Sequence, residues 1–149
     1  MMTKQKTASE NLLCELYKEM KMGASSLTDV LGKVHDGAFR EELTRQIDEY
    51  EKFAKTACDR LLDCGATPKE EGIMARMAAK VGMAMNTMND STTSHLAQMV
   101  IEGNTMGITE LTRLVREHEN TSCSESTITL TRDASRFLED AVERTKEYL

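Results

Sequence analysis

Few groups in this chain of 149 residues could do chemistry: three histidines, a scatter of helical glutamates, four cysteines and a run of methionines. His95 and Glu102 are seven residues apart. A helix would place them on one face with Met99 between, a pairing that could hold a single metal ion. The plainer reading is a solvent-facing histidine near a helix start. His35 and His118 fall at the ends of helical runs, where an imidazolium meets the negative end of the helix dipole. Met74, Met77, Met83, Met85 and Met88 offer thioethers that suit Cu(I). Dense methionine on a small-residue helix is read first as adaptable packing. Nucleophilic catalysis finds no support, because the chain has no G-x-S-x-G elbow and no glycine-rich phosphate loop.

The composition narrows the classes further. The length suits one domain, spanning residues 1–149. A formal net charge of −6 with no Lys/Arg cluster argues against nucleic acid as a partner. No stretch approaches a membrane span, and Arg76 and Lys80 alone are too few cations to make 72–88 a membrane-surface anchor. The start, MMTKQKTASEN, lacks the apolar core of a signal peptide, so a cytoplasmic location is expected. Cys14, Cys58, Cys64 and Cys123 form no C-x-x-C pair and are read as thiols of a reducing compartment.

Helices must position these groups. Leu12, Leu16, Met20, Gly23, Leu27, Val30 and Val34 recur at steps of three and four, which predicts a helix over 8–34 with Ser9 as its cap. His35-Asp36-Gly37 breaks the pattern, with Gly37 suited to the positive φ of a helix end. Phe39, Leu43, Ile47, Tyr50, Ala54, Ala57 and Leu61 predict a second helix over 38–63, stopped by Gly65 and Pro68. The short connection makes the pair antiparallel, and positions equidistant from residue 36 share a level. Cys14 and Cys58 then meet as a thiol pair or a layer of the core. A third helical stretch covers 69–89, an interruption follows at 89–94, and two more helices run to about 119 and over 125–148. The charges of REELTRQIDEYEK (40–52) are read as solvent-facing ion pairs.

Residues 22–31, MGASSLTDVL, and 106–115, MGITELTRLV, say nearly the same thing 84 positions apart. The same shift carries Leu12 onto Leu96, Leu16 onto Val100, Leu27 onto Leu111, Phe53 onto Phe137 and Ala57 onto Ala141. The expectation is an internal repeat: hairpin 1 over about 8–63, a partly helical crossover over 64–94, and hairpin 2 over about 95–149. With the segments MGASSLTDVL and IEGNTMGITELT, this all-α, up-down, crossover, up-down plan resembles the ferritin-like superfamily, of the rubrerythrin-related or small bacterial kind.

The resemblance implies a four-helix bundle with a di-metal centre at mid-height, held by Glu and Glu-x-x-His ligands. This sequence departs from that pattern. It has no Glu-x-x-His: Gly32, Thr92 and Val115 stand three residues before the histidines. At the corresponding level the hairpin geometry places Met20, Met22, Tyr50 and Phe53, and in the second half Asn104, Ala134 and Phe137. The middle is therefore read as packed, and no catalytic, cofactor-binding or metal residue is assigned. The expected function is a non-catalytic structural or interaction module. It would form a homodimer if Ala75, Ala78, Ala79 and Gly82 admit a partner backbone. The alternative is a metal-binding or redox protein with an altered ligand set drawn from Glu19, Glu102 and His95, with the two glutamates one or two residues off the inward phase.

Overall fold

The computed structural model describes residues 7–68 and 90–149. Four α-helices account for most of them: α1 (Ala8–Leu31), α2 (Gly37–Asp63), α3 (Thr93–His118) and α4 (Glu125–Thr145). A 3-10 turn, Lys146–Tyr148, ends the chain, and no strand occurs among the described residues. The third helical stretch expected over 69–89 lies outside them. So do its methionines and the small residues on which the homodimer expectation rests.

Each helix begins by the same local chemistry. An oxygen side chain just before the helix accepts a backbone N–H three residues on, satisfying one of the four orphan donors of the first turn. Thr7 does this for Glu10 at 3.1 Å, Asp36 for Phe39 at 2.8 Å, Thr92 for His95 at 3.3 Å and Ser124 for Thr127 at 3.3 Å. Ser9 is therefore not the cap of α1. Its hydroxyl faces away from the helix and accepts the Ser124 N–H at 2.7 Å.

The helix ends follow from the backbone. At the end of α2, Gly65 takes φ +75°. Its N–H donates to Leu62 O and that of Ala66 to Leu61 O, each at 2.9 Å, the paired bonds of a Schellman cap. Gly37 does not share that role, since it is the first residue of α2. The helix α1 stops at Leu31, whose carbonyl accepts the Val34 N–H at 3.2 Å; the Arg40 guanidinium donates to that carbonyl and to that of Val34 at 2.9 Å each. Val34 still buries its side chain, closing that end of the core.

The helices form two antiparallel hairpins, α1–α2 and α3–α4, packed so that α1 also meets α3 and α2 also meets α4. The Ser9–Ser124 contact and a bond from Arg60 Nη1 to Ser126 O at 3.2 Å put the start of α1, the end of α2 and the start of α4 at one end of the bundle. The end of α3 joins them there through residues 119–124. So α2 ends and α3 begins at opposite ends, and the sense is up, down, down, up. The second hairpin thus runs opposite to the expected up-down order.

The core is the expected stripes, with few exceptions. Leu12, Leu16 and Met20 of α1, Phe39, Leu43, Ala57 and Leu61 of α2, and Leu96, Val100, Leu111, Ala134, Leu138 and Ala141 of the second hairpin are all buried in one cluster. Tyr148 stacks on Phe39 with ring centroids 4.8 Å apart. At mid-height Phe137 meets Tyr50 edge-on at 5.1 Å and Phe53 face-on at 5.8 Å. Such pairs contribute about 0.5–1.5 kcal/mol beyond the area they bury.

Candidate functional site

The middle of the bundle holds aromatics and the inner end of a polar chain of side chains that runs to the end where α2 begins and α4 stops. The Tyr50 hydroxyl donates to Asn104 Oδ1 at 2.6 Å. Asn104 Nδ2 donates to Gln46 Oε1 at 3.0 Å. Gln46 Nε2 donates in turn to Glu42 Oε2 at 2.9 Å and to Thr145 Oγ1 at 3.0 Å. Arg144 Nε closes the chain on both Glu42 oxygens, at 3.1 and 3.2 Å. Glu42, Gln46, Tyr50, Asn104 and Thr145 are all buried. No buried side-chain nitrogen or oxygen lacks a partner among the described residues.

This relay corrects the reading of REELTRQIDEYEK as wholly solvent-facing. Glu42 is 6 % exposed and Gln46 0 %. Burying such groups is tolerable only because each hydrogen-bonding atom is matched, and Glu42 has a guanidinium beside it.

The relay also answers whether the residues present fit a pair of metal ions. A di-metal centre needs facing carboxylates and imidazoles with free lone pairs. Here the one buried carboxylate in the relay is committed to Arg144 and Gln46. Its neighbours are amides, a phenol and hydrocarbon. The set does not fit. Among the described residues no group of three or more His, Cys, Asp or Glu side chains is arranged to hold a metal.

The sequence candidates are dispersed accordingly. His95 sits half-buried in the first turn of α3. Glu102 is exposed and accepts from Gln98 at 3.2 Å. His118 is the last residue of α3, its Nδ1 2.8 Å from Leu114 O, and His35 is exposed between α1 and α2. Cys14 is buried and Cys58 half-buried.

Glu19 has a different setting. It lines a groove of about 430 Å³ between α1 and α3. Absent side chains make that groove. Gly23 lets the Tyr50 ring come up against the α1 backbone, Gly107 admits the end of the Leu138 side chain, and Gly103 leaves the wall of α3 bare. Tyr50 and Asn104 form the floor; Met20, Leu27, Met99 and Leu138 form apolar walls; the Met106 side chain stands at the lip, 72 % exposed.

Burial in this groove pushes the Glu19 carboxyl up to about 7, helped by the carboxylates of Glu110 and Glu15 and opposed by Arg113. Arg113 is itself held by Glu110 and Glu117. Burial, and then the Glu19 charge, raise the Tyr50 hydroxyl far above its ordinary value, so it stays a proton donor to Asn104. The groove therefore combines an apolar bed, a fixed phenol and a carboxylate that changes charge near neutrality. A second, shallower depression of about 340 Å³ lies between α3 and α4, but its Arg132 is already paired with Glu119 at 3.0 Å.

No protein-family model, curated protein or solved structure matches the chain. Among the described residues no helix is long and apolar enough to cross a membrane.

Proposed function

We propose that the chain is a ferritin-like bundle of two duplicated hairpins with a filled waist in place of a di-metal centre, working as a non-catalytic structural or interaction module. The observation that carries this reading is the relay from Arg144 to Tyr50. Its inner members, Tyr50 and Asn104, stand with Phe53 and Phe137 where the resemblance would put metal ligands, and they offer a phenol and an amide in place of carboxylates and imidazoles.

The duplication has its own support. A shift of 84 maps the buried residues Leu12, Leu16, Met20, Leu27 and Val30 of α1 onto Leu96, Val100, Asn104, Leu111 and Leu114 of α3, which are buried as well. The repeated glycines do one job: Gly23 faces the Tyr50 ring of its hairpin partner, and Gly107 faces Leu138 of its own. The opposite placement of the α2 end and the α3 start suits the long connection of that superfamily. The exposed thiol of Cys64 suits a reducing, cytoplasmic setting. Self-association belongs to the same reading.

Metal content tests it. Protein purified without chelators and then loaded with iron anaerobically is expected to carry no stoichiometric iron or manganese. A stoichiometric metal with an absorption band, lost on substituting Glu19, Glu102 or His95, would replace this reading with that of a metal-binding or redox protein.

A further inference from the structure

We propose that the groove between α1 and α3 binds a small organic monocation with an apolar body. Its ammonium group would lie against the Glu19 carboxylate, and its hydrocarbon or aryl part against Met20, Leu27, Met99 and the Tyr50 ring. The inference rests on the reading of the chain as a non-catalytic interaction module and names a class of ligand for it.

Size and lining set the body of the ligand. A cavity of about 430 Å³ falls within the roughly 300–1,000 Å³ of small-molecule sites. Its walls are mostly apolar, and methionine side chains adapt to varied shapes.

Charge sets the head. On α1, Glu15 lies near Lys18 at 3.6 Å, and Lys21 is taken by Glu51 of α2 at 3.0 Å. On α3, Arg113 is held between Glu110 and Glu117. The Tyr50 hydroxyl is spent on Asn104, and α4 contributes only Leu138 to the lining. Among the described residues each neighbouring cation thus has a carboxylate of its own. Glu19 receives no hydrogen bond among the described residues and is raised to about 7 by burial and its acidic neighbours. A bound ammonium supplies the missing donor and the missing charge. An anion would meet repulsion, and a neutral body would leave the carboxylate uncompensated.

Calorimetric titration of the full chain tests this with three probes of one shape: 4-phenylbutylamine, 4-phenylbutanol and 4-phenylbutyrate. At about pH 8 both Glu19 and the amine are charged. The amine is expected to bind at least about tenfold more tightly than the alcohol, the difference a charge-assisted hydrogen bond supplies, and the acid not at all. In Glu19→Gln the amine should fall to the level of the alcohol. Gly103→Leu plugs the groove from a position whose Cβ meets nothing within 4 Å. It should abolish amine binding while leaving thermal unfolding unchanged or raised. Equal affinity for amine and alcohol, full affinity in Glu19→Gln, binding that survives Gly103→Leu, or binding only of a lysine-containing amphipathic peptide would each overturn the proposal. So would no amine binding up to about 10 mM, a concentration that corresponds to under about 3 kcal/mol. None of these results alters the metal content, so failure here is separable from failure of the module reading.

Discussion

The Tyr50 ring lies directly against the α1 backbone at Gly23: a Cβ built there would meet three carbons of the ring, the furthest at 2.6 Å. The ring cannot swing away cheaply, because its hydroxyl is held by Asn104 and its edge by Phe137. Gly23→Ala should therefore destabilise the protein by about 2–3 kcal/mol through overpacking. Gly103→Ala, open on that side, should stabilise it by about 0.5–1 kcal/mol through helix propensity. Urea unfolding midpoints of the two variants should move in opposite directions. Gly107→Ala should fall between them, since only the end of the Leu138 side chain is close, at 2.9 Å.

Removing one link of the relay should cost more than the link is worth. Tyr50→Phe leaves Asn104 Oδ1 buried without its donor, at a cost of about 1–3 kcal/mol. Arg144→Met leaves Glu42 its Gln46 bond and, as a cation, only Arg45 at 3.6 Å among the described residues, and should cost about 2–3 kcal/mol, less than for a fully enclosed pair because the Arg144 side chain is 34 % exposed. The double variant Glu42→Leu/Arg144→Met should recover part of that loss. Additive losses in a double-mutant cycle would mean the two side chains do not act together.

Stability should fall as pH rises through the range in which Glu19 ionises. Its folded value, about 7, lies above the ordinary 4.5. Between those values the folded chain holds a proton that the unfolded chain releases, so each step up in pH favours unfolding. Glu19→Gln has nothing to release there. Measured against wild type, the variant should gain about 1–3 kcal/mol between about pH 4 and about pH 8, the discounted equivalent of the shift. Parallel pH profiles for the two proteins would show that Glu19 ionises as an ordinary surface carboxylate.

The helices were legible because periodicity and local chemistry agree. Thr, Asp and Ser stand before each helical run, and Gly65 stands after one. Between Thr7 and Ser9 the choice of cap was not local: Ser9 is withdrawn from that role by its contact with Ser124, 115 positions away. The relay was hidden for a related reason. On α2, Gln46 and Ile47 both continue a stripe of threes and fours, and hydrophobicity favours Ile47. The structure buries Gln46 completely because Thr145, Asn104 and Glu42 converge on it. Two of those three come from the other hairpin. Glu19 was visible as a candidate at the edge of the inward phase. What it borders was not, since the groove depends on three glycines and on how α1 meets α3.

Leucine, alanine and threonine interfaces tolerate sliding of one helix along another, because one turn onward offers much the same surface. Asn104 removes that freedom here. A displacement of α3 by a single turn, about 5.4 Å, would take its amide out of reach of Gln46 and Tyr50 together, leaving Asn104, the Tyr50 hydroxyl and the Gln46 carbonyl oxygen without the partners they have here. The buried chain of bonds thus acts as a vernier between the two halves, selecting one axial alignment from several that the oily residues alone would accept.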